Sequence, residues 1–152
     1  MLTSKRPLQL QFKHAESDSE IIACFGVMQQ LRPKLSNEAD FLQDVRRMQK
    51  FGYRLLVAFE NNIPVALAGY HEAESFVHGK FIYVEDLITT EAKRGKKVGE
   101  QLLHSIFAMA KNQGLNKVNL DTWIGNSLAQ RFYYRMGMLA IGMHFSYEIT
   151  TS

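Results

Sequence analysis

Apolar and polar residues change period several times along this chain, and each change marks an element. Leu8 to Lys13 alternates with the two-residue period of a short strand. Ser17, with Glu20 three residues on, makes a capping box; Ile21, Ile22, Phe25, Met28 and Leu31 then fall on or near one helical face, which predicts a helix through Gln30 ended by Pro33. A second helix is predicted from Glu38 to about Gln49, carrying Phe41, Val45 and Met48, with Gly52 as its stop. Tyr53 to Phe59 and Ile63 to His71 read as strands joined at Glu60-Asn61-Asn62, a hairpin signal, and Glu72 to Lys80 reads as a polar loop containing Gly79.

Phe81 to Thr89 carries apolar residues on both alternating faces: Phe81, Tyr83 and Leu87 on one, Ile82, Val84 and Ile88 on the other. That is the mark of a central strand covered on both sides. Glu85 and Asp86 interrupt it. Ionised carboxylates are costly to desolvate, so these two either serve a purpose or are satisfied by backbone donors at a bulge. Gly99, Leu102, Leu103, Ile106, Phe107 and Ala110 then follow the helical spacing as one stripe, with Gly114 after it as the stop. Lys117 to Thr122 alternates as a fifth strand, and Asn126 caps a predicted helix from Ser127 to Met136, with Ala129, Phe132, Tyr133 and Met136 sharing a face and Gly137 ending it. Met143, Phe145, Tyr147 and Ile149 alternate as a final strand.

The junction between the covered strand and the striped helix carries the chemistry. Lys93-Arg94-Gly95-Lys96-Lys97-Val98-Gly99 is a short basic loop running straight into a helix, so unpaired backbone N–H groups and the positive helix end point at one place. An anionic cofactor is the expected ligand; spacing alone also admits a lysine-rich solvated turn with two incidental glycines. Neither G-x-x-x-x-G-K-S/T nor G-x-G-x-x-G is present, which leaves a nucleoside triphosphate or a nicotinamide cofactor with little support.

Composition narrows the classes further. The 152 residues fit one domain, and 46% hydrophobic with 22% charged residues is the balance of a globular protein. No apolar run reaches the ~18 residues that span a bilayer, and the N-terminal stretch lacks the apolar segment of a signal peptide, so a cytoplasmic address and no membrane partner are expected. The single Cys24 lies among Ile21, Ile22, Ala23 and Phe25 and reads as a buried helical residue, not a nucleophile. His14, His71, His78, His104 and His144 show no metal-ligand spacing, and no metal is expected. The net charge of +3 is modest and concentrated in the loop, with Glu85, Asp86 and Glu91 just before it, which argues against an extended nucleic-acid surface.

VEDLITTEAKRGKKVGEQLL followed by NSLAQRFYYRMGM resembles the acetyl-coenzyme A signature of the GNAT N-acetyltransferase superfamily: a strand, Q/R-x-x-G-x-G/A, a helix, and later N-x-x-A-x-x-F/L-Y-x-x-x-G-F. The clear match runs from Tyr83 to Met138, and the order of the earlier elements also fits. Arg94, Gly99, Asn126, Ala129, Tyr133 and Gly137 fall in register. Lys97 stands where the signature has its first glycine, and Met138 replaces the usual Phe.

The resemblance implies an α/β (α+β) fold with a mixed, mostly antiparallel sheet of roughly six to seven strands flanked by about four helices. It also implies acetyl-coenzyme A as cosubstrate. The pantetheine arm would run along Leu87, Ile88 and Thr89 and the pyrophosphate would rest on the amides of Arg94, Gly95, Lys96, Lys97, Val98 and Gly99, with the side chains of Lys93, Arg94, Lys96 and Lys97 assisting. Asn126 and Tyr133 would lie near the thioester. Glu85 is the expected base, directly or through water, on the argument that a carboxylate in a partly dry strand has its pKa raised, and Tyr133 is the expected acid. The acceptor would be a primary amine of a small molecule or peptide, attacked directly in a ternary complex. His71, Glu72 and Glu74 are placed on the acceptor side, where an acidic rim suits a cationic amine, and Arg32 falls in a segment bordering that cleft. A homodimer is admitted, and a coenzyme A-binding sensor without turnover is the second reading.

Overall fold

The capping box opens the first helix of the computed structural model, which describes residues 9–151; Leu8, in the expected first strand, lies outside them. The Ser17 hydroxyl accepts from the Glu20 amide at 3.2 Å, while the Glu20 carboxylate accepts from the Ser17 amide at 3.1 Å. The described residues form two units that divide after Leu120. The first holds β1 (Leu10–His14), α1 (Asp18–Ala23), α2 (Phe25–Leu31), α3 (Glu38–Gln49), β2 (Arg54–Glu60), β3 (Ile63–Ser75), β4 (Gly79–Thr89), a 3-10 turn (Glu91–Lys93), α4 (Val98–Asn112) and β5 (Lys117–Leu120). The second holds α5 (Ser127–Arg135).

The sheet has the order β1-β2-β3-β4-β5. All neighbours are antiparallel except β4 and β5, which run parallel because α4 crosses between them. This is the mixed, mostly antiparallel architecture expected, with five strands among the described residues where six to seven were expected, and with five α-helices. On one face α1, α2 and α3 bury Ile21, Cys24, Val27, Met28, Phe41 and Val45 against Tyr53, Leu55, Val57, Phe59, Leu67 and Ile88. Of the predicted stripe on α4, Leu102, Leu103, Ile106 and Ala110 are buried and Gly99 and Phe107 half-buried, and Val98 is buried beside them.

Three expectations are corrected. The single helix through Gln30 is two, because the chain tightens at Cys24, whose amide bonds Ile21 O at 3.0 Å while its thiol donates to Glu20 O at 3.3 Å. Burial pushes that thiol up to about 12, so Cys24 is an inert core residue. The polar stretch from Glu72 to Lys80 is not a loop. It is the far end of a β3–β4 hairpin in which Glu72 faces Ile82 and Glu74 faces Lys80, turned by Gly79 at φ 67°. The final strand from Met143 to Ile149 is absent: residues 138–151 have no regular structure, and Met143, Phe145, Tyr147 and Ile149 are all exposed. A two-residue period makes a strand only where a ladder partner takes up its backbone groups, and the described residues supply none.

Candidate active site

β4 is where the sheet opens. Its parallel pairing with β5 runs from Phe81↔Lys117 to Val84↔Leu120 and stops there, so Glu85–Thr89 continues with no partner on that side among the described residues. On its other side, Tyr70 faces Val84 and Gly69 faces Asp86, which leaves Glu85 as an extra residue without a register partner. That is a β-bulge, a device that bends a strand and re-aims a side chain.

The bulge separates the two carboxylates. Glu85 was expected in a dry strand; it is exposed, with its Oε1 3.5 Å from His71 Nδ1. Asp86 is the buried one, at 9% exposure. The Tyr53 hydroxyl donates to its Oδ2 at 2.7 Å, and Arg32 donates to Oδ1 from Nε at 3.1 Å and from Nη2 at 2.9 Å. His71 and Tyr83 face each other across β3 and β4 with their rings 5.7 Å apart. Glu72 and Glu74 are exposed further along β3.

Beyond Thr89 the chain is anchored and then released. Thr90 N donates to Val65 O at 2.8 Å, and Gln30 bonds both the Thr90 hydroxyl (3.0 Å) and the Glu91 amide (3.1 Å). Lys93, expected to assist an anion, is instead held by Glu60 at 2.7 Å. From there Gly95 (φ 79°) and Lys97 (φ 61°) turn the backbone through two left-handed positions into α4. The first intrahelical bond of α4 is Gln101 N to Lys97 O, and no side chain caps the helix. The amides of Gly95, Lys97, Val98, Gly99 and Glu100 therefore have no acceptor among the described residues. Five free donors at the positive end of a 15-residue helix make a ready anion site.

The side chains around it divide by role. Lys96 and Lys97 are exposed and make no ion pair among the described residues, and exposed Arg94 folds its Nε toward Thr89 O at 3.4 Å. Val98 and Ile88 are buried, so only their main chains face a ligand; Leu87 and Thr89 are half-buried. The φ of Lys97 explains why the signature prefers glycine there: a left-handed non-glycine residue costs roughly 1–2 kcal/mol, partly offset by its smaller loss of chain entropy. Lys97→Gly is expected to raise unfolding stability by about 0.5–1 kcal/mol in a urea titration; a lower midpoint at equal slope would refute the strain argument.

In the second unit Asn126 caps α5, its Oδ1 accepting from Ala129 N at 3.1 Å, and Gln130 Nε2 ties the helix back to Ile124 O at 2.7 Å. Tyr133 packs on Phe132 with ring centres 5.5 Å apart. Its phenol has no hydrogen-bond partner among the described residues, and burial raises its pKa above 10, so the proton stays on at neutral pH. Among the described residues no three His, Cys, Asp or Glu side chains are grouped to hold a metal, and no helix is long and apolar enough to cross a membrane.

Arg32, Tyr53 and Gly69 are the site residues that sequence reasoning placed least well. Arg32 was located at the cleft border but given no role. Gly69, a lone glycine inside the apolar run VALAG, is the sequence signal of a bulge or close approach there.

The profile of the GNAT acetyltransferase family matches residues 21–138. An uncharacterized N-acetyltransferase of Bacillus subtilis, YhdJ, is 31% identical over 125 residues, spanning 82% of this chain and 87% of that protein. Among solved structures, the aminoglycoside N-acetyltransferase AAC(6')-Iy in complex with CoA superposes with a TM-score of 0.82 at 16% identity, over 97% of this chain and 99% of that one. Glucosamine-6-phosphate N-acetyltransferase from Arabidopsis thaliana superposes with a TM-score of 0.72 at 21% identity, over 93% and 99% of the two chains.

Proposed function

Because the chain belongs to the GNAT acetyltransferase family, we propose that it transfers the acetyl group of acetyl-coenzyme A to a primary amine of a small molecule or peptide. The observation that carries this reading is the conjunction within the first unit of an unpaired β4 edge at Glu85–Thr89 with five free amides at the start of α4. The strand edge offers main-chain groups to an extended amide-bearing arm, as an added strand would use them. The helix start offers N–H donors and a positive dipole to its diphosphate. Lys96 and Lys97 add long-range attraction for the anion.

Chemistry follows from the bulge. Glu85 takes a proton from the acceptor ammonium, directly or through a water; the neutral amine attacks the thioester carbonyl, a C–N bond forms, the C–S bond breaks, and Tyr133 supplies the proton that the thiolate takes up. Amide and free thiol are the products: of the two protons nitrogen sheds between ammonium and amide, the one taken by Glu85 passes to solvent and the other restores the Tyr133 hydroxyl, balancing the proton gained by sulfur. No covalent enzyme intermediate is needed, and Cys24, buried with its thiol pushed up to about 12, is in no position to form one. A cationic acceptor suits the exposed Glu72, Glu74 and Glu85 beside His71. YhdJ is named an N-acetyltransferase, and AAC(6')-Iy an aminoglycoside N-acetyltransferase, which supports an amine acceptor.

Free-thiol release from acetyl-coenzyme A across a panel of polyamines, aminoglycosides, amino acids and peptides tests the reading. Release above the hydrolytic background with at least one amine is the expected result, and Tyr133→Phe is expected to lower kcat on that amine about 10²-fold with the KM for acetyl-coenzyme A little changed. Tight coenzyme A binding without release on any amine would instead favour a sensor, and an unchanged kcat in Tyr133→Phe would remove the acid assignment.

A further inference from the structure

The reaction described above leaves a polar cluster without a task, in which Asp86 and Tyr53 are buried and Arg32 is exposed. Asp86 is the one buried charged side chain among the described residues, and both its oxygens are engaged, Oδ2 by Tyr53 and Oδ1 by Arg32. The same Arg32 Nη2 also donates to the main-chain carbonyl of Glu85 at 3.0 Å. A bulged residue loses its ladder partner, so its backbone groups need another. Arg32, the residue that caps the end of α2, supplies it from outside the sheet. Gly69 supplies the room: a Cβ there would come within 2.5 Å of Asp86 Oδ2 and Tyr53 Cζ.

Arg32 is half exposed, so solvent screens its pairing with Asp86 and the pair adds little stability that apolar residues would not. What apolar residues lack is a directional grip on one carbonyl. Guanidinium is suited to it: one rigid group donates to Asp86 from Nε and Nη2 and to the bulge carbonyl from Nη2, while Asp86 in turn accepts from the Tyr53 hydroxyl. Burial and the neighbouring carboxylate hold the Tyr53 proton in place, its pKa raised well above 10. Among the described residues the Glu85 carboxylate approaches His71 at 3.5 Å, too long a contact to aim it, so its direction follows from the backbone that carries it.

We infer that Arg32, Asp86 and Tyr53 are positioning residues that lock the β4 bulge and thereby fix where the Glu85 carboxylate points. This rests on the reading of Glu85 as the base. The cluster acts on the proton-transfer step through Glu85, on a different element from the anion site at α4.

Arg32→Ala, Arg32→Lys and Tyr53→Phe, each in the full chain, test it with the best amine of the panel. Arg32→Ala is expected to lower kcat about 10²-fold, since a displacement near 1 Å has that effect, and to shift the acid limb of the pH–rate profile, with the KM for acetyl-coenzyme A within about 2-fold. Arg32→Lys keeps the charge without the fork and is expected to recover only part of the loss. Amide hydrogen exchange, read without any acceptor, is expected to quicken at least about 10-fold at residues 84–87 in Arg32→Ala while residues 81–83 stay protected. A wild-type kcat and pH profile in Arg32→Ala alongside a lowered melting temperature would reduce the cluster to a structural role and overturn the inference, as would unchanged exchange at residues 84–87. Were wild-type protein to release no thiol with any amine, the acetyltransfer reading would fail on its own, and the exchange measurement would still decide whether the cluster locks the bulge.

Discussion

Glu85→Gln is expected to lower kcat/KM for the preferred amine by about 10²- to 10⁴-fold, the range a positioned general base contributes. Glutamine keeps the size and the bulge but cannot take a proton. The carboxylate next in sequence, Asp86, is already divided between Tyr53 and Arg32 and is poorly placed to substitute. The pH–rate profile of the variant should differ from that of the wild type beyond the titration of the amine itself. Coenzyme A affinity, measured by calorimetry, should stay within about 2-fold, because the free amides from Gly95 to Glu100 lie on a different element. An unchanged rate and pH profile would move the base elsewhere.

Gly69→Ala is expected to destabilise the fold by about 3–5 kcal/mol, a large share of the stability of a domain this size. The added methyl would land on the Tyr53 hydroxyl and within 2.5 Å of Asp86 Oδ2. Tyr53 is 5% exposed and packed in the core, so its ring has nowhere to retreat. Either the Tyr53–Asp86 bond breaks, leaving a buried carboxylate short of a donor, or β3 moves off β4. Overpacking costs about 1–3 kcal/mol and a lost hydrogen bond to a charged group roughly 1.5–3 more. In a thermal melt this reads as a fall of about 10 °C or more. A shift under about 2 °C would mean that the cluster is looser than its geometry states.

Which parts of this were legible in the residues follows from how local each signal is. The capping box at Ser17, the α4 stripe and the Asn126 cap are set within four residues and appear as read. The basic loop was legible for the same reason: glycine and lysine at fixed offsets before a helix state where free amides will be. The β3–β4 hairpin beyond His71 was hidden because its ladder pairs Glu72 with Ile82 and Glu74 with Lys80, and polar residues at a solvated hairpin end carry no apolar alternation. The burial of the two acidic neighbours was also hidden. Adjacent residues of a regular strand point to opposite faces, but the covered faces of β4 gave no reason to prefer one carboxylate over the other; the extra residue opposite Gly69–Tyr70 left Glu85 outside and Asp86 inside.

By itself, then, the chain of residues determined its helices apart from the break at Cys24, its central covered strand, and the cationic glycine-bearing turn before α4, because periodicity, capping and turn chemistry act between near neighbours. Only the tertiary structure decided that β4 parts from β5 after Val84, that Lys93 is taken by Glu60, and that Arg32 and Tyr53 meet at Asp86. Those contacts join residues 33 to 54 positions apart. They depend on register and on which face each side chain is given, and neither is set until the strands have paired.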